Sequence, residues 1–160
     1  MEPKPAGRPV ALNAATLPVR TGSSYPEPFR AVVGGREKRA LGEPFGLTCF
    51  GVNLVRLPPG CWSSQRHWHT LEDELVYLLE GELVLVTDAG EQRLTAGMVA
   101  GFLAGERNGH HMINRSGRDA LYLEIGARLA EDEADYPDLD LCLRVRAGKL
   151  VFEHRDGTPY

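Results

Sequence analysis

Apolar and polar residues alternate along most of this chain in short runs that end at glycine or proline. From residue 30 onward the runs follow the two-residue period of β-strands, and none has the period of an amphipathic helix. The predicted strands are Arg30–Val33, Glu37–Leu41, Leu47–Leu57, Cys61–His69, Glu74–Leu79, Glu82–Thr87, Gln92–Thr95, Met98–Leu103, His110–Asn114, Leu121–Ile125, Leu141–Arg146 and Leu150–His154. Strands repeated at intervals of roughly ten residues are typical of sandwiches and barrels. We therefore predict an all-β fold.

The two ends of the strand-rich block have a different character. Residues 1–29 hold six of the eleven prolines and show no sustained periodicity. They predict an extended N-terminal arm that lies along the folded domain or along a partner subunit, with a flexible tail as the alternative. Residues 30–160 then form one domain, since 160 residues leave no room for a second one. The acidic run 130–140 predicts an exposed turn or a short helix that ends at Pro137.

Composition narrows the classes of function. The formal net charge is -4, which is not the basic balance of a nucleic-acid-binding protein. The chain shows no apolar run long enough to cross a membrane and no signal-peptide pattern at its start. Its three cysteines are an odd number without C-x-x-C spacing, which argues against a disulfide framework or a zinc ribbon. We expect a cytoplasmic protein with no nucleic-acid or membrane partner.

Four of the five histidines lie in two short clusters beside glycine turns. His67 and His69 are separated by one residue, so on a strand both imidazoles point the same way. Glu74 follows five residues later, and the second cluster holds His110 and His111. Imidazole nitrogens joined by one carboxylate oxygen are a ligand set for iron, manganese, nickel, cobalt or zinc. The pattern predicts one divalent metal site.

The two clusters resemble the two motifs of the cupin superfamily. The first motif, G-x5-H-x-H-x3,4-E-x6-G, is matched with one extra residue before the first histidine by Gly60, His67, His69, Glu74 and Gly81. The second, G-x5-P-x-G-x2-H-x3-N, is matched less closely by Gly97, Gly105, His110 and Asn114. Leu103 replaces the usual proline, and two additional residues precede His110. The resemblance directly covers residues 60–114.

This resemblance implies a double-stranded β-helix, a small jelly-roll barrel whose interior holds one divalent metal. It implies His67, His69, Glu74 and a histidine of the second motif as ligands. The family spacing selects His110 as the fourth ligand. On a regular strand His111 faces the opposite side, although a bulge at Gly109 would reverse the two. The metal is expected to be iron, manganese, zinc or nickel.

Such a site predicts an enzyme that acts on a small polar metabolite, with dioxygenase, isomerase and lyase chemistry as the candidates. The alternative is a cupin that binds or senses a small ligand without turnover. No general base is identified by the sequence, and Tyr77, Glu124 and His111 are the candidates. Exposed strands and the proline-rich arm also predict a homodimer.

Overall fold

The computed structural model describes residues 7–160, which contain twelve β-strands and three short 3-10 helices. The 3-10 helices span Ala14–Thr16, Ala31–Val33 and Glu43–Phe45. The strands are β1 Glu37–Ala40, β2 Phe50–Leu57, β3 Trp68–His69, β4 Glu74–Glu80, β5 Glu82–Thr87, β6 Gly90–Thr95, β7 Val99–Phe102, β8 His111–Ile113, β9 Ala120–Ala127, β10 Ala134–Tyr136, β11 Leu141–Arg146 and β12 Lys149–Glu153. The predicted all-β jelly roll is therefore confirmed.

The strands form two facing layers. A five-stranded antiparallel sheet in the order β1-β2-β9-β4-β7 makes the first layer. A three-stranded sheet, β6-β5-β8, and a four-stranded sheet, β12-β11-β10-β3, make the second. A bridge between His67, next to β3, and His110, next to β8, links the two smaller sheets, and a second bridge joins Trp62 of the loop before β3 to Ile113 of β8. The sheets do not close into a continuous hydrogen-bonded barrel, so the shape is that of a jelly-roll sandwich.

The core is filled by alternate residues of strands from both layers. Leu57 and Leu78 of the five-stranded sheet pack with Leu83, Leu94 and Met112 of the three-stranded sheet. Because side chains alternate across a strand, the residues between them lie on the outer faces. A smaller cluster joins the N-terminal segment to the four-stranded sheet through Tyr25, Val33, Ala134, Tyr136 and Leu141.

The N-terminal segment lies against the domain over its described part. Arg20 forms an antiparallel bridge with Lys38 of β1, with N–O distances of 2.8 and 2.9 Å. The ring of Tyr25 is buried and contacts the ring of Tyr136 edge-on. Residues 1–6 of the predicted arm lie outside the described residues. The division into an arm over 1–29 and a domain over 30–160 stays a prediction.

Three local predictions were wrong. Residues 30–33 were expected as a strand, but Ala31–Val33 is a 3-10 helix that buries Val33 in the smaller cluster. The long strand predicted for residues 61–69 is a loop for most of its length, with β3 at its end. The acidic run was expected to be an exposed turn or helix, yet it contains strand β10, whose Ala134 and Tyr136 are buried.

Candidate metal centre

The two histidine clusters meet between the two layers. His67 lies just before strand β3 and His69 ends that strand. Glu74 begins strand β4 of the opposite layer. His110 immediately precedes β8 and bridges to His67 through backbone hydrogen bonds. The fold thus brings together four side chains that are separated by up to 43 positions in the sequence. These are the four residues that the sequence pattern and family resemblance selected.

The donor atoms of these four side chains converge. Nε2 of His67 lies 3.2 Å from Nε2 of His69, and these atoms lie 3.8 and 3.7 Å from Oε2 of Glu74. Nε2 of His110 lies 2.8 Å from the same oxygen. Adjacent ligand atoms that are each about 2.1 Å from a metal lie about 3 Å apart. The separations among His67, His69 and Glu74 therefore fit one small divalent cation, and His110 lies beside this group through its contact with Glu74.

Hydrogen bonds on the far sides of two rings define which nitrogen faces the centre. Nδ1 of His67 lies 2.9 Å from the carbonyl oxygen of Gln65, and Nδ1 of His69 lies 2.5 Å from Oδ2 of Asp132. In neutral rings these nitrogens carry the protons as donors, which leaves both Nε2 atoms as acceptors. Two lone pairs then face each other beside a carboxylate. Such an arrangement needs a cation to be stable.

The charges of the site match this need. Burial lowers the pKa of His67 to about 4, so its ring is neutral and able to bind metal at neutral pH. Burial alone raises the pKa of Glu74, but the hydrogen bond with His110 and the electrostatic interaction with the nearby imidazoles of His67 and His69 outweigh it. The net result is a pKa of about 2 for Glu74. A carboxylate among imidazoles is a donor set for a divalent metal.

The two adjacent histidines of the second cluster have different surroundings. The ring of His110 stacks on Phe102 at a centroid distance of 3.5 Å, which holds its Nε2 toward Glu74. Nδ1 of His110 is buried and has no hydrogen-bond partner within residues 7–160. His111 instead directs Nδ1 to the carbonyl oxygen of Ser64 at 3.1 Å and contacts Trp62 edge-on. The structure thus places His110, and not His111, beside Glu74.

Asp132 is a buried carboxylate of this site that the sequence analysis assigned to the exposed acidic run. Besides His69, it contacts the backbone N–H groups of Leu71 and Glu72 at 2.8 and 3.2 Å and the hydroxyl of Thr70 at 3.3 Å. Asp132 therefore fixes both the orientation and the protonated nitrogen of His69. Its only sequence signal was a position between the apolar neighbours Ala130 and Ala134.

We expect Asp132→Asn to weaken metal binding by about 10- to 100-fold, the range for partners that orient a metal-bound histidine. An amide that keeps the backbone hydrogen bonds directs its NH2 group at the N–H of His69, and two donors then face each other. Titration of the apoprotein with Mn²⁺ or Zn²⁺ measures the change. Asp138→Asn is the control, because Asp138 belongs to the same acidic run but pairs with Arg66 at the surface. Equal affinities of the two variants would contradict this role.

A cavity of about 210 Å³ opens onto the candidate ligands. Its walls include all four of them, His111, and apolar side chains such as Val76, Phe102 and Met112. Two further charged groups of its walls, Lys38 and Glu124, form an ion pair at 2.6 Å. Among the three candidate bases, Glu124 and His111 line the cavity. The side chain of Tyr77 is more than a third exposed and does not line it.

Other polar residues of the two motif regions have structural roles. Asn114 is fully buried and donates to the carbonyl oxygens of Leu57 and Arg118, so it secures a turn and does not contact a candidate ligand. Gln65 donates to the carbonyl oxygen of Phe29 and thereby ties the site to the N-terminal segment. Ser63 lines the cavity.

Comparison with known proteins agrees with this fold. Residues 53–126 match the Cupin domain family. A sugar phosphate isomerase from a cupin superfamily of Silicibacter pomeroyi is 42% identical, with a TM-score of 0.89, over 94% of this chain and 96% of that protein. A candidate sugar phosphate isomerase from Acidithiobacillus ferrooxidans is 28% identical, with a TM-score of 0.71, over 78% and 80% of the two chains.

More distant structures share only the fold. A polyketide cyclase from Streptomyces resistomycificus is 19% identical, with a TM-score of 0.59, over 73% of this chain and 78% of that one. None of the curated proteins compared with the chain is a match. Fold and histidine–carboxylate cluster together define a cupin-type jelly roll. The chain belongs to the cupin superfamily, as its two motifs indicated.

Proposed function

We propose that this cupin is a divalent-metal-dependent isomerase that interconverts a phosphorylated aldose and ketose. The observation that carries the proposal is the carboxylate of Glu124, which lines the same cavity as the candidate metal ligands. The 42% identity to a protein described as a sugar phosphate isomerase supports the reaction type. The metal is held by His67, His69, Glu74 and His110 in this proposal.

The strand register places the proton-transfer group beside the ligands. Glu74 pairs with Gly126, and Val76 pairs with Glu124, so the two glutamates are diagonal neighbours on the inner face of β4 and β9. Diagonal neighbours across a strand pair have Cα atoms about 7–8 Å apart, which is within the length of a sugar. A bound metal would polarise two neighbouring substrate oxygens. Glu124 then takes the proton from the hydroxyl-bearing carbon beside the carbonyl and returns it to the former carbonyl carbon, while the proton of that hydroxyl passes to the former carbonyl oxygen.

Lys38 sets the state of this base. Burial raises the pKa of the Glu124 carboxyl, but the Lys38 ammonium outweighs it and brings the net pKa below the ordinary value. Glu124 is therefore ionised at neutral pH and ready to accept a proton. Nδ2 of Asn53 also donates to it at 3.1 Å, which fixes its orientation. The same Lys38 ammonium is placed to balance negative charge that develops on the substrate.

The test is incubation of the metal-loaded protein with aldose and ketose phosphates of four to six carbons in D2O. We expect interconversion and the incorporation of deuterium at the carbon beside the carbonyl, both followed by proton NMR. Neither should occur with protein treated with a chelator. A metal-loaded protein that produces neither interconversion nor deuterium exchange with any of these sugars would refute the proposed activity.

The second candidate is a metal-containing protein that binds a small ligand without turnover. It is favoured by the two partners of Glu124, because Lys38 and Asn53 both bind this carboxylate as they would in a purely structural ion pair. In that case the same NMR experiment shows broadening of the sugar signals by a Mn²⁺-loaded protein but no exchange. Signal broadening without exchange therefore distinguishes the two candidates.

We also propose that two chains associate through the outer face of the five-stranded sheet. Leu75, Tyr77 and Leu79 of β4 and Val99 of β7 are each at least 36% exposed. Ile125 pairs with Leu75 on the neighbouring strand and extends the same apolar face. An outer sheet face of this composition is suited to pack on a second copy of itself about a two-fold axis.

Light scattering of the purified chain tests this association. We expect the mass of a dimer, and a monomer for Tyr77→Glu, since a charge in the middle of the apolar face would be buried without a partner. Lys149→Glu, on an exposed position of β12, is the control and should remain dimeric. A monomeric parent protein would overturn the proposal.

The predictions about location and partners are supported by fewer observations than the metal site is. Within the described residues no helix is long and apolar enough to cross a membrane. Cys49, Cys61 and Cys142 are free, and the cytoplasmic location stays a prediction from the cysteine pattern. A small-molecule ligand is expected from the cavity beside the candidate metal ligands, and the absence of a nucleic-acid partner stays a prediction from the charge.

A further inference from the structure

A second cavity, of about 230 Å³, lies next to the one that contains the candidate metal ligands. The two cavities share the side chains of Arg36 and Lys38, which form the boundary between them. The remaining polar walls of the second cavity come from the N-terminal segment, from the loop after β1 and from the strands β2 and β9 with their ends. They include Arg20, Glu43, Asn53 and Arg128. We call this second cavity the arginine groove.

The arginine groove carries an excess of positive charge. Its three guanidinium groups, those of Arg20, Arg36 and Arg128, face the single carboxylate of Glu43. Arg20 contacts Glu43 at 2.5 Å and Arg128 contacts it at 3.8 Å, so one acid is shared between two arginines. Lys38 is balanced separately by Glu124. The excess of two positive charges is notable on a chain whose formal net charge is -4.

Arg36 is the least compensated of these groups. Its guanidinium donates to the carbonyl oxygen of Ser63 and makes no ion pair with a carboxylate of residues 7–160. It is partly buried and lies between the metal-ligand cavity and the arginine groove. A cation with unused donors at the junction of two cavities is suited to an anionic group whose remainder extends toward the metal.

We propose that the arginine groove binds the phosphate group of the substrate, with Arg36 and Arg128 as its main donors. A phosphate monoester carries a charge of about -1.5 to -2 at neutral pH, which matches the excess of two positive charges. Arginine forks bind phosphate oxygens through paired N–H donors. The carbon chain of the same molecule then passes Arg36 and Lys38 and reaches Glu124 and the metal ligands. This inference rests on the proposed function for the identity of the carbon chain.

The N-terminal segment has a functional role in this arrangement. Arg20 reaches the groove because its backbone is bridged to Lys38 of β1, and its side chain holds Glu43 through two hydrogen bonds of 3.0 and 2.5 Å. Glu43 bound in this way is prevented from neutralising Arg128 completely. The segment therefore forms one wall of the groove and sets the charge that a phosphate group encounters.

Binding of inorganic phosphate to the metal-free, full-length protein tests the site without any assumption about catalysis. Isothermal titration calorimetry should show at least tenfold weaker binding for Arg36→Gln and for Arg128→Gln than for the parent. Arg115→Gln is the control, because it removes the same charge from an exposed pair with Glu91 and should bind phosphate like the parent. Unchanged affinity in both groove variants, or an equal loss in Arg115→Gln, would overturn the inference.

A second measurement separates this inference from the proposed function. The metal-loaded parent should prefer a sugar phosphate over the same sugar without phosphate, and Arg36→Gln should lower that ratio of kcat/KM at least tenfold, mainly through KM. Isomerisation of both sugars with equal efficiency would overturn the arginine groove and leave the isomerase proposal intact. Phosphate binding lost in both groove variants, without isomerisation by the parent, would support the groove and refute the isomerase.

Discussion

Glu74→Gln is expected to abolish stable metal binding. Glu74 is the only anionic side chain among the four candidate ligands, and Oε2 of its carboxylate lies within 3.8 Å of Nε2 of His67, His69 and His110. A neutral amide leaves the charge of a divalent cation without a negative ligand in a largely buried site. We expect the affinity for Mn²⁺ to fall by more than about 100-fold, beyond the range typical of residues that only orient a ligand.

Glutamine has nearly the same shape as glutamate, and its oxygen can still accept the hydrogen bond from His110. The far-ultraviolet circular dichroism of Glu74→Gln should therefore equal that of the parent, which separates metal loss from unfolding. Glu82→Gln, which removes a surface partner of Arg93, is the matched control and should bind metal normally. Retention of parental affinity by Glu74→Gln would show that this carboxylate is not a ligand.

Glu124→Gln is expected to remove isomerase activity while leaving the metal in place. A positioned general base contributes typically 10²- to 10⁴-fold to the rate, so kcat should fall by about that factor. Glu124 is adjacent to the candidate ligands but has Lys38 and Asn53 as its hydrogen-bond partners. Metal content should therefore stay at the parental value, and deuterium exchange into the substrate should disappear together with turnover.

Glu37→Gln is the matched control for Glu124→Gln. Glu37→Gln also removes a glutamate that pairs with a basic residue on the five-stranded sheet, since Glu37 binds Arg56, but it does not line the cavity. It should leave kcat unchanged. If Glu124→Gln retained more than a tenth of the parental kcat, another group would have to be the base, and His111, which lines the same cavity, would be tested next.

Most strands of the sandwich were predictable because apolar and polar residues alternate with the two-residue period of a β-strand. The register of β4 shows this most clearly: Val76 and Leu78 are buried, whereas Leu75, Tyr77 and Leu79 are exposed. Hairpin turns were equally readable. Ala147 and Gly148 between β11 and β12 both have positive φ angles, 50° and 73°, as a two-residue hairpin turn requires. Such features depend only on neighbours in the sequence.

Strand β10 and Asp132 were missed because their state depends on distant partners. Residues 131–135 hold four acids, yet Ala134 pairs with both His69 and Leu143, which places it between two strands. Asp132 is buried because it binds the backbone of residues 71 and 72, more than 50 positions away. Most acidic residues are exposed to solvent, and a charge pattern predicts this common case. A buried acid that accepts several hydrogen bonds, such as Asp132, is an exception that the pattern does not reveal.

The sequence predicted the candidate metal ligands but not how the other charged residues lie around them. Alternation along a strand correctly predicted that the rings of His67 and His69 lie together and that His110 and His111 face different surroundings. Glu124 was one of three candidate bases that no spacing could rank. Its position became clear only from the pairing of β4 with β9, which is a long-range contact. The arginine groove likewise joins Arg20, Arg36 and Arg128 from separate parts of the chain.

The most direct test of the metal centre is elemental analysis of the protein purified without a histidine tag or added metal, together with His110→Ala and His111→Ala. Our account predicts about one equivalent of a divalent transition metal in the parent and in His111→Ala, and little or none in His110→Ala. Absence of metal from the parent even after reconstitution with Mn²⁺, Fe²⁺, Ni²⁺ or Zn²⁺, or equal metal content in all three proteins, would contradict it.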